Sequence, residues 1–263
     1  MAFKFSITLS FMHTHKMKKI SLLFALFTLV LSGCADKKYA VKAYQAQLRT
    51  ISDTIQADTR MSQFISTYKG RLDSVMNQVI GTALVPLSKA QPESTMGNFA
   101  ADAQLEAGKK LDNMVVISVV NYGGLRIPFL PAGSITKGKI YEIMPFDNLV
   151  TVVDVPGTVL QTFCDHMAAR KGWPISGFSY TIKNGKATDI RVAGEAIRPN
   201  AVYKLATSDY IANGGDECEF LTGLKKQASA VLLRDAIMDK VMNDSKQHKG
   251  IEPKLEKRVY YAE

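Results

Sequence analysis

Cysteine is scarce in this sequence, with three in 263 residues, too few for a disulfide-dense scaffold. Histidine numbers only four, and His13 and His15 both fall within the first 16 residues. No apolar run after the N-terminal segment approaches the roughly 20 residues of a membrane-crossing helix. A phosphate-cradling Walker loop, a dinucleotide glycine fingerprint and the Gly-x-Ser-x-Gly nucleophile elbow are all missing. No internal repeat recurs at a fixed period. What the chain does hold is 46% hydrophobic and 22% charged residues, enough apolar surface to form a core and to exclude wholesale disorder. The length suits one large domain or two small ones.

Lys and Arg number 33 against 24 Asp and Glu, a formal charge of +9 that invites a nucleic-acid reading. Lys4, Lys16, Lys18 and Lys19 lie in the first 33 residues without any acidic residue, and removing that stretch leaves +5. There Lys18 and Lys19 precede a short apolar run from Ile20 to Val30, the build of a secretory signal and too short for a span. Leu31-Ser32-Gly33-Cys34 follows and resembles the lipobox of bacterial lipoproteins. The expected organisation is a lipoprotein signal over 1–33, with 1–16 a mis-called start before Met17. A tether over 34–38 and one domain over 39–263 follow. Cys34 is then the lipidation site, the location is the periplasm or the outer membrane, and nucleic acid is not the expected partner. Cys164 and Cys218 could pair in such an oxidising compartment, which spacing alone does not decide.

Apolar residues near helical spacing from Tyr39 to Ile80, among them Met61, Phe64, Ile65, Tyr68, Leu72 and Val75, predict one or two amphipathic helices. Gly81 to Pro86 breaks that pattern, and a helix is expected from Met96 to about Leu111. The β-branched run from Met114 to Val120 predicts a buried strand, and Leu149 to Val155 a second. Gly157 to Lys171 reads as helix, and Phe178–Ile182 with Ile190–Val192 reads as a hairpin about Asn184-Gly185. Val202 to Thr207 adds a strand and Ala230 to Met242 a closing helix. The expected fold is a single α/β domain with a mixed β-sheet and flanking helices.

Three irregular segments share a chemistry. Asn121-Tyr122-Gly123-Gly124-Leu125-Arg126 offers a tight turn, a close backbone approach and a cationic fork. Met144-Pro145-Phe146-Asp147-Asn148 offers an aromatic face and an amide. Asp209-Tyr210-Ile211-Ala212-Asn213-Gly214-Gly215-Asp216 offers a second aromatic, a glycine pair and a carboxylate. A purine or pyrimidine ring needs flat surfaces for stacking and an amide for its edge, and its sugar hydroxyls suit a carboxylate.

In this order, and together with Glu93-Ser94-Thr95-Met96-Gly97-Asn98-Phe99-Ala100-Ala101-Asp102-Ala103 before them and Leu233-Arg234-Asp235-Ala236 after them, the segments resemble the C-terminal domain of the 5′-nucleotidase family, secreted nucleotide hydrolases. The resemblance covers most of the chain beyond the signal. It implies a domain that binds the nucleoside part of the substrate between Phe146 and Tyr210. Asn121 or Asn148 is implied at the base edge, Asp216 at the ribose hydroxyls, Gly177 along the base pocket and Arg126 toward the phosphate. The family commonly carries an Arg shortly before its Glu, where this chain has Lys89-Ala90; a lysine lacks the planar fork.

The family's chemistry resides in a separate metallophosphatase domain with two metal ions. His166 and His248 belong to no Asp-x-His or Asn-His-Glu/Asp pattern, so no catalytic residue, no metal ligand and no cofactor are assigned in this chain. Whether the chain is an enzyme by itself is left open. Divalent metals are expected only in a separately encoded metallophosphatase chain, with this protein as the nucleotide-recognition half of a split hydrolase of nucleotide catabolism. The alternative is a non-catalytic nucleoside- or nucleotide-binding lipoprotein.

Overall fold

The computed structural model describes residues 43–48, 50, 52, 55–248 and 250–262. The chain divides into two units, Met1–Ala57 and Asp58–Glu263. Described residues of the first unit are exposed and form neither helix nor strand, so the expected helical pattern is confined to a later stretch. The signal, Cys34 and the tether lie outside the described residues.

In the second unit, α1 (Thr59–Met76) starts at Asp58, whose carboxylate accepts the Met61 N–H at 2.8 Å. The helix ends at Met76 rather than Ile80, because Val79 and Ile80 enter β1 (Val79–Ala83), which pairs antiparallel with β5 (Gly133–Thr136). Between these come β2 (Leu87–Ser88), α2 (Thr95–Leu111), β3 (Val115–Val119) and β4 (Phe129–Leu130), with β2 paired to β4. Then follow α3 (Lys137–Ile143), β6 (Leu149–Pro156), α4 (Gly157–Ala169), β7 (Ile175–Ser176), β8 (Phe178–Lys183), β9 (Lys186–Val192) and β10 (Glu195–Ala196). The chain closes with β11 (Val202–Ser208), α5 (Asp209–Ala212), β12 (Lys226–Leu232), α6 (Leu233–His248) and β13 (Val259–Tyr261). Three residues expected to begin the closing helix, Ala230 to Leu232, instead finish β12, an edge strand whose pairing to β6 shifts register between Ala228 and Leu232.

The architecture is mixed α/β, as the alternation of predicted helices and strands implies. A five-stranded sheet runs in the order β12-β6-β11-β3-β7, with β11 and β3 parallel and the other neighbours antiparallel. A second sheet, β10-β9-β8-β13, contains the expected hairpin, whose turn residues Asn184 and Gly185 have φ of 52° and 72°. Its last strand, β13, is only three residues long and carries no sequence signal of its own.

Strand alternation divides the core. Val153 and Val155 of β6 face Phe163 and Met167 of α4 and Tyr180 of β8, while Val150 joins Met96 and Phe99 of α2 and Ile237 and Val241 of α6. Each such large apolar side chain contributes about 1.5–3 kcal/mol when fully buried. The five-stranded sheet is thereby clamped on both faces, and its strand ends are rigid supports for the loops that leave them.

Candidate functional site

β3, β11 and β6 are neighbours at the middle of the sheet. Parallel pairing of β3 with β11 sends both carboxyl ends the same way, and antiparallel pairing of β6 with β11 sets the start of β6 at that end, with Val150 opposite Ser208. The three segments singled out in the sequence are the connections at this end. Asn121 to Arg126 follows β3, Met144 to Asn148 precedes β6, and Asp209 to Asp216 follows β11.

Together they line a cleft of about 300 Å³, bounded by Asn121, Gly123, Gly124, Arg126, Phe146, Asn148, Tyr210 and Asp216. That volume is at the small end of ligand sites. Phe146 and Tyr210 are 39% and 46% exposed, well short of the burial of core aromatics such as Phe163. Each thus keeps a ring surface open to the cleft.

Hydrogen bonds join the segments. Ser208 caps α5 by accepting the Ile211 N–H, and the Asp209 carboxylate accepts the N–H groups of Tyr210 and of Leu149 across the sheet. The Tyr210 hydroxyl donates to Asp216 Oδ1 at 2.8 Å, and Asn121 Nδ2 donates to Asp216 Oδ2 at 2.7 Å. By accepting the hydrogen bond of the phenol, the Asp216 carboxylate raises the Tyr210 pKa and keeps the hydroxyl a donor. Each carboxylate oxygen retains further acceptor capacity for a ligand hydroxyl.

Backbone shape sets this arrangement. Asp216 has φ 50° and Gly214 φ 94°, left-handed values that glycine adopts readily and aspartate tolerates. A Cβ on Gly215 would lie 2.5 Å from Tyr210 Cζ, so the bare Gly215 backbone covers one face of that ring. Asn148 is half-buried, and its side-chain amide has no hydrogen-bond partner among the described residues. Asn121, by contrast, has committed its amide N–H to Asp216.

The Phe146 turn is fixed from behind by Arg234, only 5% exposed, at the start of α6. Its Nη1 donates to the Phe146 carbonyl at 3.1 Å, its Nη2 donates to Asp147 Oδ1 at 2.7 Å, and its guanidinium lies 4.2 Å above the Tyr141 ring. Sequence reasoning included Arg234 only within a matching segment and gave it no role; a buried arginine carries no local pattern that would reveal one. Arg126 is exposed, donates from Nη1 to the Gly123 carbonyl and lies 5.7 Å from the Phe146 ring centroid.

Gly177 does not line the cleft. It is exposed with φ 81°, and a Cβ there would lie 2.0 Å from the Val116 carbonyl oxygen. Its glycine identity follows from this backbone contact at the β7–β8 junction. Lys89 is also engaged elsewhere: Nζ donates to the Leu125 carbonyl at 2.7 Å and sits 4.0 Å over Tyr122. Partial burial and the nearby Arg126 charge lower its pKa.

The segment from Glu93 to Asp102 is structural. Glu93 Oε1 accepts from Asn98 Nδ2 and the Glu256 N–H, and Asp102 forms a two-pronged ion pair with Arg258 at 2.7 and 2.9 Å. These bonds tie α2 to the chain entering β13. His166 packs edge-on against Trp173, with Nδ1 3.1 Å from Arg170 and Nε2 3.7 Å from the Cys218 thiol. Burial first, and then the Arg170 charge, lower its pKa. Cys164 and Cys218 are buried free thiols; burial pushes the Cys218 thiol up to about 12. Among the described residues no group of three His, Cys, Asp or Glu side chains is placed to hold a metal ion. No described helix is long and apolar enough to cross a membrane.

Two half-exposed rings, an amide without a partner and a carboxylate thus meet in one cleft at the carboxyl ends of central strands, the place where open α/β sheets carry their ligand sites. The sequence profile described as "5′-nucleotidase, C-terminal domain" matches residues 79–223, more than half of the chain, and the chain belongs to that family. Endonuclease YhcR of Bacillus subtilis is 29% identical over 70% of this chain, and a 5′-nucleotidase of Vibrio vulnificus is 25% identical over 66%. The chain spans only 15% and 32% of their respective lengths. The crystal structure of a 5′-nucleotidase precursor from Thermus thermophilus shares the fold, with a TM-score of 0.68 and 24% identity over 76% of this chain and 42% of that one.

Proposed function

We propose that this protein is the nucleoside-recognition half of a 5′-nucleotidase-type hydrolase and that a separately encoded metallophosphatase supplies the catalysis. The observation that carries this reading is the convergence of Phe146, Tyr210, Asn148 and Asp216 from distant segments on one cleft. In the proposal the base lies between the two rings, each stacked face contributing about 1–3 kcal/mol. Its edge meets the unpartnered Asn148 amide, and the ribose hydroxyls donate to Asp216. Asn121 and the Tyr210 hydroxyl hold that carboxylate in place. Arg126, exposed at the rim, faces the phosphate as a forked donor.

The metal ions and attacking water of such a reaction belong to the partner chain in this reading; the histidine of this chain whose surroundings are described, His166, is occupied by Arg170 and Cys218. Cys34 carries the lipid, and the protein works in the cell envelope on nucleotides rather than on nucleic acid. A cleft of about 300 Å³ suits one nucleoside.

Phosphate release from 5′-AMP with Mn²⁺ or Zn²⁺ tests the division of labour. The chain alone should give background release, and addition of a metallophosphatase encoded by an adjacent gene should raise it. Release by the purified chain alone would overturn the split. Binding without hydrolysis under every pairing would favour the alternative, a nucleoside-binding lipoprotein.

A further inference from the structure

Asp216 owes its place at the cleft to an uncommon piece of backbone. Asp216 and Glu217 are consecutive residues with φ of 50° and 62°, and neither is glycine. Left-handed values cost backbone free energy at each such residue, so two in succession persist only where the surroundings over-determine them. The bend they make turns the Asp216 carboxylate toward the Asn121 amide and the Tyr210 hydroxyl.

The support for this bend lies outside the cleft. Arg170, which closes α4, is fixed at its own backbone by Gln91, whose Nε2 donates to the carbonyls of Arg170 and Gly172 at 2.6 and 2.8 Å. From there the guanidinium reaches the bend by two routes. Nη2 donates to the Glu217 carboxylate, a charge-assisted bond. Nη1 lies 3.1 Å from His166 Nδ1, and because an arginine nitrogen only donates, Nδ1 accepts and the neutral ring carries its proton on Nε2. That Nε2 is 3.7 Å from Cys218 Sγ, and the thiol in turn donates to the Asp216 carbonyl at 3.8 Å. The Glu217 bond is the stronger route, since a thiol is a weak donor and acceptor.

We infer, on the reading that the cleft takes a nucleoside, that Arg170 is a positioning residue for the ribose. It holds the Asp216–Glu217 bend from behind, so that the Asp216 carboxylate stays aimed at the sugar hydroxyls. The two ring faces are held by other means: the Ser208 cap fixes Tyr210 in α5, and Arg234 fixes the carbonyl of Phe146. Loss of Arg170 therefore removes recognition of the sugar and spares stacking of the base.

Titration calorimetry of the full chain with adenosine and 2′,3′-dideoxyadenosine tests this. The unaltered chain should bind adenosine about tenfold or more tightly than the dideoxy compound, as hydrogen bonds to a charged group imply. Arg170→Gln should bring the two affinities within about twofold of each other by weakening adenosine alone. Glu217→Ala, at an exposed side chain, should lower the ratio part of the way and decides the matter should Arg170→Gln fail to fold. A ratio unchanged in the variants, or equal losses for both nucleosides, would overturn the role of Arg170 while leaving the nucleoside reading intact. Failure of the unaltered chain to bind either compound would overturn that reading, and the role of Arg170 with it.

Discussion

Arg234 and Gly177 show how residues outside the cleft divide between shaping the ligand site and supporting the fold. Arg234 does not line the cleft, yet it holds the carbonyl of Phe146 and the carboxylate of Asp147 from within the core. Lysine keeps the charge but loses the fork. Arg234→Lys is therefore expected to weaken nucleoside binding several-fold in the unaltered chain and to have little further effect in a Phe146→Ala background. Titration calorimetry over the double-mutant cycle checks this, and additive losses would contradict it. Gly177→Ala should do the reverse. Its left-handed φ and the 2.0 Å approach to Val116 predict a destabilisation of more than about 1 kcal/mol in urea unfolding, with affinity retained in the folded fraction. Among the residues expected to bind the base, ribose and phosphate, the structure brings Asn121, Arg126, Phe146, Asn148, Tyr210 and Asp216 to one cleft, and Gly177 lies apart. Aromatics, amides and carboxylates in loops advertise chemistry. A glycine required by a neighbouring carbonyl looks the same in sequence as one that lines a pocket.

At the scale of elements, α4 illustrates a half-buried histidine with a structural part. His166 lies among Phe163, Trp173 and Phe220, and its pKa is lowered from the ordinary value. The neutral ring is the form the fold prefers, so its contribution to stability is present above the unfolded-state pKa of about 6.5 and is lost as pH falls through the lower folded-state value. Thermal unfolding midpoints of the unaltered chain should fall more steeply as pH drops below about 6.5 than those of His166→Gln. Parallel curves would refute that assignment. The sequence pattern made α2, β3, β6, α4 and β11 readable within a residue or two. The misses have physical causes. Val79 and Ile80 fit a helical pattern but pair with β5, and Ala230 to Leu232 fit helix but complete β12. β13 is too short to show alternation, and it is anchored by the Asp102–Arg258 pair, 156 residues apart in sequence.

For the whole molecule, the sheet converts three separated loops into one site because β3, β11 and β6 are adjacent and their ends coincide. The order of strands, which no local pattern encodes, brings this about, while the chemistry of each loop was legible beforehand. The excess of basic residues then has a smaller meaning than the raw count of 33 against 24 implies. Four of those lysines belong to the expected signal, and Arg126 is the cation on the cleft rim.

Calorimetric titration of adenosine and 5′-AMP into the full chain, beside Phe146→Ala and Tyr210→Ala, tests the central claim most directly. The account predicts a single site with each substitution weakening binding by about 5- to 150-fold, the equivalent of about 1–3 kcal/mol for one lost stacking face. Absence of binding by the unaltered chain, or affinity in both variants unchanged from that of the unaltered chain, would contradict it.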